Sequence, residues 1–279
     1  METIVKYTGG KAFSYTYNMS EECVFDIHLH DHYEIFQAIS PNIRYFVEGT
    51  SYDLNPGDLI ITNNKEIHRP TTIDNKGYER RFIQFSPSII SPYHDIDYNP
   101  LQFFINRKSG TFNHFIIPEP ALSVVQQFLN TIEACFYLNT PKSLYEGRLI
   151  LNQLLIELNT LHQSMNSKTE VSSNLDPRIS KAIAYLDLNY RQPFHLDTFS
   201  KIHHIDKYYL SHLFKENTGF TLIEYIQSKR IQYAKTLLVE DLSLNEISLL
   251  CGFNDYSNFF KTFKKLVKHS PKEYKKQQA

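Results

Sequence analysis

Two histidines and a glutamate near the amino terminus are of the types and at the spacing that bind a divalent metal ion. In Asp26-Ile-His28-Leu-His30 the histidines alternate with apolar residues, so on an extended strand both imidazoles lie on one face. Glu34 follows four residues later, and His68 comes further along the chain. Imidazole suits zinc or iron, and carboxylate suits manganese. The alternative is a set of hydrogen-bonded pocket residues, which we favour, and we expect no metal and no cofactor.

A wider set of polar side chains is expected to line a pocket for a small molecule. Ligand pockets have mostly apolar walls and a few polar groups that fix the orientation of the ligand, and the mouth of a β-barrel is a common place for one. The predicted ligand-binding residues are His28, His30, Glu34, Arg44, Tyr45, His68 and Gln84.

Two segments near the carboxyl terminus carry polar stripes with the spacing of one helix face. Such a stripe offers donors, hydroxyls and ring edges to bases in the major groove, with cations beside them for phosphates. A solvated helix face is the alternative. The predicted DNA-contacting residues are Lys207, Tyr208, Ser211, His212 and Lys215 in the first stripe and Tyr256, Ser257, Phe260, Lys261 and Lys264 in the second.

The two stripes occupy the same place in an internal repeat. Leu196–Ile202 resembles Leu244–Leu250, 48 residues later, and Tyr209–Lys215 resembles Asn258–Lys264, 49 residues later. Each copy predicts a short helix, a turn and a second helix that begins at a side-chain cap, which is helix-turn-helix geometry. Because the stripe recurs at one point of a repeated unit, we favour DNA contact over a solvated face.

Helix-start signals surround this repeat. Asp176-Pro177 places an N-cap acid before proline and predicts a helix over 178–190. Three capping boxes follow, in which a hydroxyl and a glutamate three residues later satisfy each other's backbone amides. They are Thr221–Glu224, Ser243–Glu246 and Ser270–Glu273.

A helix over 221–240 is predicted to join the two copies. About twenty residues at 1.5 Å each span roughly 30 Å, close to the ~34 Å between successive major-groove openings. Lys229, Arg230 and Lys235 on this helix are candidates for phosphate contact, and Arg230 is alternatively a strut between the copies.

The amino-terminal half has the period of β-strands. Short β-branched or aromatic runs separated by turn signals such as Pro56-Gly57 indicate an antiparallel sandwich or barrel. The predicted strands are 24–30, 33–39, 43–47, 50–54, 59–62 and 80–85. Two amphipathic helices over 118–137 and 143–162 follow, and their apolar stripes must be buried against the barrel or a partner.

Charge divides the chain at a polar segment over 166–177, which has the composition of a linker. Residues 1–165 hold 12 Lys and Arg against 18 Asp and Glu, whereas residues 166–279 hold 17 against 12. A basic half joined to an acidic half is expected when one domain meets phosphates.

We expect no transmembrane helix and no signal peptide. Three cysteines far apart exclude a disulfide framework and fit a cytoplasmic protein.

The carboxyl-terminal residues closely resemble the DNA-binding domain of AraC/XylS-type transcription regulators. The resemblance covers about 100 residues, and His203, Ser200, Ser248 and Phe260 depart from the family pattern. The residues that carry it are Leu210–Gly219, Tyr225–Ile231, Gly252–Ser257, Phe263–Lys265 and Ser270-Pro271. The histidines and Glu34, with Asn55-Pro-Gly-Asp58, resemble the cupin barrel, whose regulatory members in this family usually bind no metal.

The resemblance implies an α+β protein of two domains. The expected parts are a cupin-like effector-binding barrel over 1–117, a helical pair for dimerisation over 118–165, the linker over 166–177, and an all-α double helix-turn-helix over 178–279. The expected partners are double-stranded DNA, a small effector such as a sugar or related metabolite, a second copy of the chain, and RNA polymerase if the protein is an activator.

The expected function is that of a sequence-specific transcription regulator controlled by a small ligand, and not that of an enzyme. One alternative is a metal-dependent cupin enzyme with an accessory DNA-binding domain. Another is a DNA-binding protein whose barrel serves only in assembly.

Overall fold

The computed structural model describes residues 3–8, 12–20, 29–74, 77–90, 97–165, 175–202 and 204–278. These residues form two compact units. The N-terminal unit contains the described residues up to 20 and from 31 to 165. The C-terminal unit contains residues 175–278 together with Leu29 and His30, and the Leu29 N–H donates to Leu266 O within it (2.9 Å).

Two antiparallel sheets form the N-terminal unit. Six strands lie in the order β1-β2-β8-β3-β6-β9, and three lie in the order β5-β4-β7. The strands are β1 (Thr3–Thr8), β2 (Phe13–Ser20), β3 (Tyr33–Ala38), β4 (Ile43–Val47), β5 (Thr50–Leu54), β6 (Leu59–Thr62), β7 (His68–Thr72), β8 (Tyr78–Phe85) and β9 (His114–Phe115).

The predicted antiparallel architecture is confirmed, but the described strands do not close into one hydrogen-bonded barrel. No pairing joins the two sheets within the described ranges. One reason lies in β7, an outer strand of the small sheet, because Pro70 has no amide hydrogen with which to continue the ladder. Of the predicted strand over 24–30, residues 24–28 lie outside the described residues, and Leu29 and His30 lie in no strand.

Alternation along the strands gives the large sheet two different faces. Tyr15, Ile35 and Ile83 are almost fully buried and belong to a core that the following helices cover. The residues between them point to the opposite side, which we call the inner face because Glu34 on it reaches Tyr45 of the small sheet. The inner face therefore lies between the two sheets.

Three α-helices follow in the described part of this unit: α1 (Gln102–Ile105), α2 (Ala121–Leu138) and α3 (Pro141–Met165). The apolar stripes predicted for the long pair are buried against the sheet. Val125, Ile132 and Phe136 of α2 are inaccessible to solvent, as are Leu151 and Leu158 of α3. Burying one such side chain contributes about 1.5–3 kcal/mol, so these stripes hold the helix pair on the sheet.

The C-terminal unit is all-helical in the residues described. Its helices are α4 (Pro177–Asn189), α5 (Leu196–Ile202), α6 (Lys207–Thr218), α7 (Leu222–Leu237), α8 (Leu244–Leu250), α9 (Tyr256–Val267) and α10 (Pro271–Gln278). All three predicted capping boxes form, at Thr221, Ser243 and Ser270. The Asp176 side chain caps α4 by accepting from the Arg178 N–H.

The helix that joins the repeats is shorter than predicted. It has 16 residues and ends at Leu237, which corresponds to about 24 Å at 1.5 Å per residue. The spacing of α6 and α9 therefore depends on how they pack against α7 and its neighbours, and the length of α7 alone does not provide it. Across the described ranges we find no helix with the length and apolar character needed to cross a bilayer.

Candidate functional site

The two halves of the repeat have the same backbone geometry. His204 and Gly252 occupy matching turn positions, and both have a positive φ, of 50° and 84°. The next residue in each copy donates its N–H back to a serine carbonyl, Ile205 to Ser200 and Phe253 to Ser248, both at 3.1 Å. The predicted pair of helix-turn-helix units is thus formed, with a less favourable left-handed residue in the first copy.

Side-chain caps fix where the second helix of each unit begins. The Asp206 carboxylate accepts from the N–H groups of Tyr208 and Tyr209 at the start of α6. Asp255 accepts from the Asn258 N–H at the start of α9. Each cap satisfies amides that would otherwise lack partners, and it orients the first turn of a candidate recognition helix.

The exposed face of α6 carries the first predicted stripe. Tyr208 is 76% exposed, and the His212 and Lys215 side chains also reach solvent. The Ser211 hydroxyl donates to Lys207 O within the helix (2.8 Å). The Lys207 ammonium donates to Asp197 of α5 (2.7 Å), which raises the pKa of Lys207 and lowers that of Asp197.

The exposed face of α9 carries the second stripe. Ser257, Lys261 and Lys264 are exposed, and Tyr256 lies at the margin. Phe260 is half-buried, with its ring centroid 6.1 Å from that of Tyr256. Phe259 and Phe263 on the opposite side are fully buried. The structure thus places all five predicted residues of this stripe on or beside one face.

The three cations of α7 make internal contacts. Lys229 lies 3.2 Å from Asp187, and the Lys235 ammonium lies 5.6 Å from the Tyr274 ring centroid. Arg230 donates to Tyr190 O (2.6 Å) and Gln192 O (2.9 Å), and its burial lowers the pKa of the guanidinium. Of the two predicted roles for Arg230, these bonds favour the strut over the phosphate contact.

A close backbone approach joins the second turn to the segment after α4. A Cβ added to Gly252 would lie 2.2 Å from Arg191 O. The Arg230 guanidinium also lies over the Phe253 ring, 5.5 Å from its centroid. Glycine at position 252 therefore meets two requirements, a positive φ and the absence of a side chain, and it lets the second turn pack against the segment between α4 and α5.

A buried carboxylate is the centre of the candidate ligand site. Glu34 on the inner face accepts from the Tyr45 hydroxyl and from Gln84 Nε2, both at 2.9 Å. Burial raises the pKa of Tyr45 well above its usual value, and the neighbouring Glu34 raises it further. The His68 ring stacks near Tyr45, 6.1 Å between centroids, and its Nδ1 lies 2.9 Å from Glu66 O.

Four of the seven predicted ligand residues thus come together within the N-terminal unit: Glu34, Tyr45, His68 and Gln84. Arg44 points to the other side of β4, where it binds Asp53 (2.6 Å). His30 belongs to the C-terminal unit, and His28 lies outside the described residues. The N-terminal unit by itself therefore does not supply the full histidine set of the metal alternative.

Further polar groups on the inner face were not among the predicted ligand residues. Strand register puts Ser14, Gln84, Glu34 and Thr62 in one row across the sheet. The neighbouring rows contain Thr16, Asn18 and Arg80. In Phe13–Ser20 the polar residues at 14, 16 and 18 alternate with aromatic ones, and this signal could have identified both the strand and its inner residues.

Three of these groups are buried without a hydrogen-bond partner in the described structure: Thr16 Oγ1, Asn18 Oδ1 and Thr62 Oγ1. A buried polar atom without a partner costs about 1–3 kcal/mol. Three such atoms on the inner face indicate that this face contacts water or a polar ligand.

Two family models match the chain. A model described as a helix-turn-helix domain matches residues 199–277, and one described as an AraC-like ligand binding domain matches residues 11–135. The matches coincide with the helical unit and with the two-sheet unit and α2. They define a protein that joins an AraC-like ligand-binding domain to a helix-turn-helix DNA-binding domain. The chain belongs to the AraC/XylS family of transcription regulators, as the sequence resemblance implied.

Relatives with curated descriptions carry matching names. The HTH-type transcriptional activator RhaR of Mannheimia succiniciproducens is 24% identical over 90% of this chain and 87% of its own length. The uncharacterized HTH-type transcriptional regulator YijO of Escherichia coli K12 is 30% identical over 49% of this chain. The chain spans 48% of the length of YijO and 30% of a Staphylococcus aureus HTH-type regulator that is 22% identical.

Two solved structures are also similar to this chain. The C-terminal domain of AraT, a response regulator from Geobacillus stearothermophilus, is 26% identical over 38% of the chain and 88% of its own, with a TM-score of 0.37. ToxT from Vibrio cholerae O395 is 16% identical over 95% of the chain and 98% of its own, with a TM-score of 0.39.

Proposed function

We propose that this protein regulates transcription by binding specific DNA sites under the control of a small ligand. The observation that carries the proposal is the duplicated helix-turn-helix, with an exposed stripe of polar, aromatic and basic side chains at the same place in each copy. A helix of this kind fits the major groove and places side chains against base edges. The cytoplasm is the proposed compartment, and RNA polymerase is a proposed partner if the protein activates transcription.

The base-reading and phosphate-binding roles divide along each stripe. The ten predicted residues on α6 and α9 are the proposed DNA contacts. His212 and Lys261 lie mid-helix and are assigned to bases, whereas Lys264 lies in the last turn of α9 and is assigned to a phosphate. Base contacts set sequence preference, whereas phosphate contacts set register and salt dependence.

Replacing Lys264 by alanine is expected to weaken binding to all duplexes alike. It should make the slope of log affinity against log salt concentration less steep by about 0.9, because one phosphate contact is lost. Replacing His212 or Lys261 by alanine should instead change which sequences are preferred. Selection and sequencing of a randomised duplex pool at several salt concentrations distinguish a uniform loss of affinity from a change in sequence preference. A uniform loss in all three variants, without altered preference, would refute the assignment of His212 and Lys261 to bases.

For the effector we propose a sugar or a related polyhydroxyl metabolite, bound between the two sheets. The Glu34 carboxylate and Asn18 Oδ1 accept hydrogen bonds, and the Thr16 and Thr62 hydroxyls both donate and accept. This inner face is rich in acceptors and therefore suits a ligand that brings several donors, as hydroxyl groups do. The rings of Phe36 and Phe82, beside Arg80, supply the apolar wall.

Replacing Thr62 by valine tests this ligand site. Because Thr62 Oγ1 has no partner within the described structure, the variant should keep its stability without ligand, or gain slightly. It should also lose the thermal shift given by the sugar that stabilises the wild type in a screen of metabolites. Thr50→Val is the matched control, since it loses a bond to Gly110 O (3.0 Å) and should be destabilised without losing the ligand response. An undiminished ligand response in Thr62→Val would contradict the proposed site.

A homodimer through the helix pair is also part of the proposal. The predicted apolar stripes of α2 and α3 are buried against the sheet, so the dimer interface is assigned to the outer face of this helix pair. That face exposes large apolar side chains, at Tyr137, Leu138, Tyr145, Leu149 and Ile156. A groove of about 500 Å³ runs beside Tyr137 and Leu138. Sedimentation equilibrium at micromolar concentration tests the proposal, and a monomer there would remove it.

A further inference from the structure

The two helix-turn-helix units differ in how their charges are arranged. The first, over residues 196–218, holds three lysines and three carboxylates. The second, together with α10 over residues 244–278, holds seven lysines against three carboxylates. Both units have the same fold, and an aspartate caps the second helix of each, so the difference in charge lies in the other side chains at their surfaces.

Two carboxylates of the first unit lie beside its candidate DNA-contacting side chains. Asp197 accepts from the Lys207 ammonium at 2.7 Å, and Glu216 lies 3.8 Å from His212 Nδ1. These groups are exposed, so the pairs contribute little to stability. Their effect on DNA is larger, because a cation that leaves its carboxylate for a phosphate exposes a negative charge beside the polyanion.

Carboxylates of the second unit lie at helix starts. Glu246 and Glu273 complete the capping boxes of α8 and α10, and those hydrogen bonds lower the pKa of both carboxyls. Asp255 caps α9. In the described part of the chain no ion pair forms at Lys261, Lys264, Lys265, Lys268 or Lys272, and all five are exposed.

We infer that the two units divide the work on DNA. The second unit, extended by Lys268 at the end of α9 and Lys272 at the start of α10, supplies the phosphate contacts in addition to the base contact assigned to Lys261. The first unit reads bases with little electrostatic attraction, because Asp197 compensates Lys207 and Glu216 places a further negative charge beside His212. Asp197 thereby acts as a specificity-determining residue, since it keeps α6 from holding any duplex by charge alone. The inference rests on the proposed DNA-binding function.

The salt dependence of DNA binding measures this division. Each phosphate neutralised by a protein cation releases counterions and makes the negative slope of log affinity against log salt steeper by about 0.9. A lysine already neutralised by a carboxylate adds less, because the pair brings no net charge to the duplex. The slope therefore counts the cations that act on phosphates in each unit.

The experiment compares Asp197→Asn with Asp241→Asn in the full-length protein. Both remove one negative charge from the C-terminal unit, but Asp241 is exposed and forms no ion pair among the described residues. The probe is a fluorescent duplex of mixed sequence, titrated at several salt concentrations by anisotropy. Asp197→Asn should bind this duplex several-fold more tightly than Asp241→Asn, with a slope steeper by up to about 0.9.

A second comparison uses lysine variants. Lys207→Ala should change the slope much less than the double variant Lys268→Ala/Lys272→Ala, which should make it less steep by up to about 1.8. Equal slopes in the two aspartate variants, or a larger loss in Lys207→Ala than in the double variant, would overturn the inference. A wild-type protein that binds neither this duplex nor any member of the randomised pool would instead overturn the proposed function.

Discussion

Replacing Gly252 by alanine is expected to destabilise the C-terminal unit by about 2–5 kcal/mol and to abolish specific DNA binding. The alanine must adopt a φ of 84°, and its Cβ would lie 2.2 Å from Arg191 O, so the backbone of one segment has to move. Movement there also separates Arg230 from Tyr190 O and Gln192 O. Amide hydrogen exchange should show that protection of backbone amides is lost first in peptides from α8 and α9.

Gly57→Ala is the matched control for Gly252→Ala. Gly57 also has a positive φ, of 98°, but an added Cβ meets only the Leu122 side chain at 3.5 Å, an ordinary contact. This variant should therefore lose only the roughly 1–2 kcal/mol of left-handed strain. If Gly252→Ala and Gly57→Ala lost the same free energy of unfolding, the close approach of residue 252 to Arg191 O would add nothing to the destabilisation. That result would contradict the expectation from the 2.2 Å distance.

Replacing Arg107 by methionine is expected to destabilise the N-terminal unit by about 3–5 kcal/mol. The Arg107 and Glu66 side chains are only 2% and 0% exposed, and two guanidinium nitrogens donate to the carboxylate at 2.7 and 2.6 Å. Glu66 also accepts from the Gly110 N–H and so holds the loop before β9. Without the arginine, the buried negative charge of Glu66 has no positive partner. Urea unfolding measures the loss.

The pH dependence of stability should reverse in that variant. In the wild type, burial opposes ionisation of Glu66, but the bonds from Arg107 and from backbone amides outweigh it and lower the pKa. That stabilisation is present above the unfolded pKa of roughly 4.3 and disappears as the pH falls below it. In Arg107→Met burial prevails and raises the pKa, so stability should rise from near pH 7 to near pH 5.

Arg44→Met is the control for Arg107→Met, because it removes the same functional group from a partly exposed pair. Arg44 binds Asp53 in two places, but the side chains are 19% and 34% exposed. A loss of about 0–1 kcal/mol is expected, with no reversal of the pH dependence. A loss in Arg107→Met as small as in Arg44→Met would contradict the assigned role of the buried pair.

Local features of the helical unit could be predicted from sequence. The capping boxes at Thr221, Ser243 and Ser270 formed as expected, because each depends on side chains within three residues of the amides they satisfy. The repeat was visible because two copies of one structure constrain matching positions. His204 in the first copy has the same left-handed conformation as Gly252 in the second.

The sheet unit was harder to predict because its pairings are distant in the chain. The first strands, β1 and β2, were missed although β2 shows clear alternation, and β7 was hidden by Pro70, which normally argues against a strand. The inner row of Ser14, Gln84, Glu34 and Thr62 joins four strands. No local pattern gives that register, so Thr16, Asn18 and Thr62 were left out of the predicted pocket.

The sequence by itself determined the family, the two helix-turn-helix units and the stripes they expose, because period, caps and repeat spacing act over a few residues. Only the tertiary structure decided which charges remain available for DNA. Lys207 contacts Asp197, ten residues away, and Arg230 contacts carbonyls 38 and 40 residues away, whereas Lys261 and Lys264 form no ion pair in the described residues. Such contacts depend on how helices pack, because a side chain acts only on the groups that the fold brings within its reach.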